Sequence, residues 1–277
     1  MVELFIGMFV TVAGGILLYY LQSLIAERIS VKRIKSSTHE HVEGLLELYS
    51  TFFLTDDGVH YSLEEIVELL NANYEVARHV EVENIALVAV LRAEVVGFIF
   101  CHLYPQRRKA IISYFAIKKE TPKARLKAAH QLLVKLKDIL AKGRVCDVLF
   151  YDLQGFDAAT SRHDRIERQA RRVLFKQSAK SLGLEAREFQ FEYQCPKVSM
   201  AESAHEYPFA LYCIGIRTQI SDRVPKQLML DYLRFIYLDC YGDVYPVSDP
   251  RFQEHHAHLK SIVDRYEAVL PELVVAK

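Results

Sequence analysis

Three things are missing from this chain, and each absence narrows what it can be. Charge of one sign is missing: 35 basic residues balance 35 acidic ones, for a formal net charge of +0. A general nucleic-acid binder carries a basic excess, so nucleic acid is not an expected partner. Paired cysteines are missing: Cys101, Cys146, Cys195, Cys213 and Cys240 are scattered, odd in number and without C-x-x-C spacing. That argues against a disulfide framework or a zinc site and suits a reducing compartment. Signature loops are missing too, with no nucleophile elbow, Walker loop, dinucleotide fingerprint or zinc-binding motif anywhere. Nor is there an internal repeat or a low-complexity linker.

What is present begins with an apolar run. From Leu4 to Ala26 there is no charged residue, and as a helix this stretch would be roughly 35 Å long, enough to cross a bilayer. Glu3 stands where a cleavable signal would carry basic residues, and Gly7, Gly14 and Gly15 would be poor choices for a buried soluble helix. Arg28, Lys32, Arg33 and Lys35 follow the run. The positive-inside rule then puts residues 28–277 in the cytoplasm.

The chain as a whole is 51% hydrophobic, which argues against disorder. Val31 to Ser36 reads as a strand, and Thr38 as the cap of a helix through Phe53. Ser62 and Glu65 form a capping box before Ile66, Leu69 and Leu70. Ile85 to Leu91 and Val95 to Leu103 read as strands separated by Arg92, Ala93 and Glu94, a hairpin-like spacing. Further strands are expected at 145–153, 187–195 and 209–217. A helix from Ser161 carries Arg162, Arg165, Arg168, Arg171 and Arg172, interleaved with Asp164 and Glu167. Leu228 to Leu238 and Phe252 to Val269 read as helices. His255 and His258 share a face of the last one, but no acidic or cysteine partner is fixed nearby, so a solvated face is expected and no metal.

One segment organises the others. Ile111 to Ile117 is a buried-strand run, Thr121 is a good N-cap, and Pro122 sits where a helix tolerates proline. Leu126, Ala129, Leu133, Leu136 and Leu140 then repeat at helical spacing, with Lys118, Lys119, Lys123, Arg125 and Lys127 around the helix start. Orphan amides, helix dipole and lysine charge there would act on one anion, a phosphate group.

The order strand, helix, helix, three strands, helix, strand, helix, two strands over residues 31–217 resembles the GNAT-type N-acetyltransferase domain. The resemblance covers about two thirds of the chain and rests on topology. It implies an α/β fold with a mixed, mostly antiparallel central sheet flanked by helices, here preceded by one transmembrane helix and followed by a helical extension. The implied divisions are 1–29, 30–218 and 219–277. It also implies acetyl-CoA or another acyl-CoA as acyl donor, and an amine-bearing small molecule or protein as acceptor. The family motif [QR]-x-x-G-x-[GA] is placed with Arg125 first, Ala128 at the first glycine and His130 last.

By that resemblance Lys123, Arg125 and Lys127, with the amides of Leu126, Lys127, Ala128, Ala129 and His130, would hold the pyrophosphate. Phe115, Ala116 and Ile117 would hold the pantetheine arm. Tyr114 on the central strand, or Asp152 at the end of the next, would handle the proton. At the position of the family's thiolate-protonating tyrosine the chain has Ala179. The alternative reading is a catalytically inactive domain of this fold used as a membrane-tethered binding or sensing module. The apolar helix at 228–238 is a candidate surface for a homo-oligomer or another partner, although packing on the domain's own sheet is the preferred reading of it.

Overall fold

Strand β2 (Glu83–Leu91) and strand β3 (Glu94–Tyr104) turn on Arg92 and Ala93, both at positive φ (52° and 67°). Two left-handed residues match the twist of a tight hairpin. Around this pair a computed structural model of the chain builds an eight-stranded sheet. The structure describes residues 29–53, 61–71, 81–118, 122–154, 162–196, 207–242, 245 and 248–277, of which 122–123, 144, 154, 162–168 and 207 are described by their backbone alone.

The remaining strands are β1 (Ser30–Ile34), β4 (Lys109–Ile117), β5 (Val148–Gln154), β6 (Ala186–Glu188), β7 (Tyr193–Cys195) and β8 (Tyr207–Gly215). Their order is β1-β2-β3-β4-β5-β8-β6, with β7 also paired to β8. Every pair is antiparallel except β4 with β5. The mixed, mostly antiparallel sheet expected from the sequence is therefore present.

Helices cover both faces. On one, α3 (Pro122–Ala141) and α4 (Arg162–Ser181) bury Leu132, Leu133, Leu136, Leu140 and Phe175 against Leu87, Ile99, Ile112, Phe115 and Tyr151. On the other, α1 (Val42–Phe53) and α2 (Leu63–Leu70) bury Leu45, Tyr49, Ile66 and Leu69 against Val88, Phe98, Phe100 and Tyr114. The capping box holds α2 as expected: Ser62 Oγ accepts from the Glu65 amide and the Glu65 carboxylate accepts from the Ser62 amide. Gly143, at φ 71°, ends the α3 region in the left-handed conformation that suits glycine.

The C-terminal part shares the second face. Helix α5 (Lys226–Arg234) runs into a π-helical turn (Phe235–Cys240), and α6 (Arg251–Val269) packs back over it. Together they bury Leu230, Leu233, Ile236, Leu259 and Ile262 on Phe150, Leu211 and Cys213. Leu233 and Ile236, the centre of the expected partner surface, thus lie inside the molecule's own core. This part is also not purely helical. Strand β9 (Arg223–Pro225) pairs with β10 (Leu273–Val275), and the Glu188 and Lys277 backbones exchange hydrogen bonds of 2.7 and 3.0 Å.

Three further local expectations need correction. The strand at 187–195 is two short strands, β6 and β7, both laid on β8. The helix at 228–238 changes to π geometry halfway. His255 does not lie on a solvated face: it is wholly buried, with Nε2 donating to the Tyr241 carbonyl at 2.9 Å. The apolar run from Leu4 to Ala26, the Thr121 cap and the turn at 55–58 lie outside the described residues. Among the described residues no helix is long and apolar enough to cross a membrane.

Candidate functional site

The site begins with a parting of strands. Strands β4 and β5 pair only from Lys109↔Val148 to Ile112↔Tyr151. Beyond that point β4 stays with β3, and β5 stays with β8. Among the described residues no strand pairs residues 113–117 on the side facing β5, so backbone donors and acceptors line one wall of a gap.

A bulge sets which side chains face which way. Phe100 lies opposite Tyr114 but Cys101 opposite Ile112, so Ser113 is an extra residue in β4. One extra residue reverses the alternation of every residue after it. Tyr114 and Ala116 consequently join the α1/α2 core, while Phe115 and Ile117 join the α3/α4 core. The Phe115, Ala116 and Ile117 side chains are buried, which leaves their backbone to face the gap.

Helix α3 starts directly after β4, at Pro122. Amides without a helical carbonyl partner at such an end belong to its first turn. The amides of Leu126 to His130 lie inside the helix, where each donates to a carbonyl four residues back. They are therefore not free to wrap a pyrophosphate, which differs from the expectation above. Arg125 Nε is buried without a hydrogen-bond partner, and Lys127 and Leu126 are exposed. Ala128 and Ala129 pack into the core against the sheet. His130 points away from the helix start, its Nδ1 2.7 Å from Ser181 Oγ on α4. Because Ser181 gives its own proton to the Ser178 carbonyl, Nδ1 is the donor.

The two proton-handling candidates sit on the same face of the sheet, on the two strands that part. Tyr114 is enclosed: its ring meets Tyr49 and Phe53 edge-on, each with centroids 4.9 Å apart, and its hydroxyl accepts from the Tyr61 amide at 3.3 Å. Burial pushes that phenol well above its usual range. Asp152, 9% exposed, extends from β5 just past the last β4–β5 pair. Its Oδ2 accepts from Tyr241 at 2.6 Å and from Tyr193 at 3.2 Å. Burial raises the carboxyl above its ordinary range, and the two hydroxyls pull it partly back.

Sequence reasoning did not find Tyr193 or Tyr241. The first lies in β7, 41 residues from Asp152, and the second follows the π turn, 89 residues away. No local periodicity connects such distant positions. Arg107 pins the turn by binding Asp239 with Nε at 2.8 Å and Nη2 at 3.0 Å.

This strand order, with one parallel pair that parts beside a helix N-terminus, is a GNAT-type N-acetyltransferase fold. No protein-family model matches the chain, and no curated protein matches it in sequence. Solved structures do match. A putative GNAT-family acetyltransferase from Bacteroides thetaiotaomicron is 13% identical, covering 76% of this chain and 98% of its own, with a TM-score of 0.47. The aminoglycoside 6'-N-acetyltransferase of Enterococcus faecium is 16% identical over 70% of this chain and 99% of its own, TM-score 0.43. The ribosomal-protein-S18-alanine N-acetyltransferase of Escherichia coli is 14% identical over 70% and 98%, TM-score 0.41. The topology described above is what defines the fold here.

Proposed function

We propose that the chain transfers an acyl group from acetyl-CoA or another acyl-CoA to an amine acceptor, in the gap between β4 and β5. The parting of these strands carries the reading, because it leaves an unpaired strand edge beside a helix N-terminus and ahead of a buried carboxylate. The residues present fit the donor. Among the described residues no strand pairs the β5 side of residues 113–117, where an amide-bearing arm could add to the edge, and the buried Arg125 Nε lacks a hydrogen-bond partner. Lys123, Arg125 and Lys127, at the start of α3, would hold the phosphates. The donor supplies an acyl group activated as a thioester. Asp152 takes the proton from the attacking amine, and burial, which raises its pKa, makes it a stronger proton acceptor than an exposed aspartate. Tyr114 forms the wall on the α1 side.

A second reading, a binding module without turnover, is supported by the α3 start, where Ala128 and His130 face the core and Ser181 instead of a ligand. In both readings Leu4 to Ala26 anchors the protein, with residues 28–277 on the cytoplasmic side. Residues 30–218 carry the cleft and 219–277 cover its far side.

Thermal-shift and calorimetric titration of the full chain in mild detergent with acetyl-CoA tests this. Saturating ligand should raise the melting temperature, about 2.7 kcal/mol of stabilisation at a hundredfold excess over Kd. Arg125→Ala should weaken binding by about tenfold, as loss of a charge-assisted hydrogen bond does. No binding at millimolar acetyl-CoA removes the enzyme reading, and binding without amine-dependent release of thiol selects the module.

A further inference from the structure

Helices α1 and α4 lie on opposite faces of the sheet and over different strands, α1 on β3 and β4, α4 on β5 and β6. A side chain of one reaches a side chain of the other across the line between β4 and β5. Paired backbone closes that line as far as Ile112 and Tyr151, and beyond them the strands part. One such contact exists. The Arg171 guanidinium, from α4, stands over the Phe52 ring of α1, with Cζ 5.9 Å from the ring centre. On its own side of the sheet its charge acts on the phenol of Tyr151, the last residue of β5 paired to β4. Arg171 therefore spans the strand gap just beyond its closed end.

The next cations of α4 behave differently. Arg172 and Lys176 both turn to Glu188 on β6, at 3.9 and 3.4 Å. Among the described residues no carboxylate pairs with Arg171, although it is half-buried. Asp152, the carboxylate of the same gap, accepts from Tyr241 and Tyr193 instead. A ring face is a weaker partner for a cation than a carboxylate is. It also engages only the face of the guanidinium, whose N–H donors lie in the plane and point outward from its edge. The gap thus holds a cation whose hydrogen-bonding edge is not used by a carboxylate of the described fold.

We propose that Arg171 is a recognition group for a carboxylate carried by the molecule acted on in the gap, and that Phe52 is the positioning residue behind it. This rests on the acyl-transfer reading and deepens it: one of the two reactants is an anion. The carboxylate belongs either to the far end of the acyl group or to the amine acceptor. The guanidinium fork matches the two oxygens of a carboxylate, and between the helix layers the pair is screened less than at an open surface. A neutral acyl chain or a simple alkylamine leaves the arginine on its ring.

Calorimetric titration of the full chain in mild detergent, with ligands matched in size, tests this. Succinyl-CoA against butyryl-CoA reads the donor. β-Alanine against β-alaninamide, with acetyl-CoA present, reads the acceptor. In one of the two pairs the carboxylate member should bind about tenfold more tightly. Arg171→Gln should bring that ratio down to about one, and Arg171→Lys, which keeps the charge but loses the fork, should leave it between the two. Phe52→Leu should lower the ratio about threefold, and circular dichroism checks that the variants are folded. Equal binding or no binding within both pairs overturns the proposal, as does a preference that survives Arg171→Gln. Should no CoA thioester bind while β-alanine still does, with its preference lost in Arg171→Gln, the acyl-transfer reading falls and the carboxylate subsite stands.

Discussion

Two aspartates, Asp147 just before β5 and Asp152 within it, show how neighbours decide what a carboxylate does. Asp147 precedes the strand, where Arg108 grips it from both sides, Nε to Oδ2 at 2.7 Å and Nη2 to Oδ1 at 2.8 Å, and its pKa is lowered. Asp152 ends up among phenols, and burial raises its pKa. The two have opposite consequences for stability. A lowered carboxyl binds fewer protons when folded, so the stabilisation from Asp147 is present above its unfolded pKa and lost as pH falls through the folded one. A raised carboxyl binds more protons when folded, so the contribution of Asp152 is present at low pH and lost as pH climbs through its window. Urea unfolding of Asp147→Asn and Asp152→Asn against wild type, from about pH 3 to about pH 8, should therefore show differences of opposite slope. The sequence marked Asp152 through its place at a strand end. It could not mark the tyrosines, because the contacts that hold Asp152 are made only when the C-terminal segment folds back.

The elements that were legible are those fixed by local chemistry. The capping box at Ser62 and Glu65, proline at the first position of α3 and glycine after its end are read from a few neighbouring residues and are present. The bulge at Ser113 was not legible, since β4 is apolar on both sides and carries no alternation that a slip would interrupt. Yet the bulge decides which core receives Tyr114, Phe115, Ala116 and Ile117. Deleting Ser113 would turn each toward the opposite face and should cost about 3 kcal/mol or more, measured by chemical denaturation. Close approach limits β8 in the same way. A Cβ on Gly215 would lie 1.8 Å from the Thr218 carbonyl oxygen, a backbone atom that moves only with the chain. Gly215→Ala should accordingly destabilise by about 1–3 kcal/mol in the same measurement.

The whole molecule is a sheet with two helix layers, one of them shared between α1/α2 and the C-terminal part. The sequence showed the order of strands and helices over residues 31–217, except the division of 187–195 into β6 and β7, because the other elements are long enough to carry their own pattern. It did not show that the last residues return to the sheet, since β9 and β10 are three residues each and too short for a pattern. The membrane anchor proposed for Leu4 to Ala26 belongs to this scale as well. Removal of residues 1–27 should move the protein from the membrane pellet to the soluble fraction on ultracentrifugation, whereas the intact chain should leave the pellet only with detergent. Removal of residues 223–277 should instead yield aggregate, because it uncovers Phe150, Leu211 and Cys213, which are buried under α5 and α6.

Mechanically, the parting of β4 and β5 makes the sheet two leaves, β1 to β4 and β5 to β8, riveted along four residue pairs. At the closed end the Arg108–Asp147 pair and the Asp147 amide, donating to the Arg108 carbonyl, extend this seam, and the helices on both faces straddle it. Under load a short parallel ladder yields as one unit, so a pull spreading the leaves would meet little resistance until those four pairs give way together. A cleft at a line of low stiffness can widen for a bulky acceptor without disturbing the cores on either side of it.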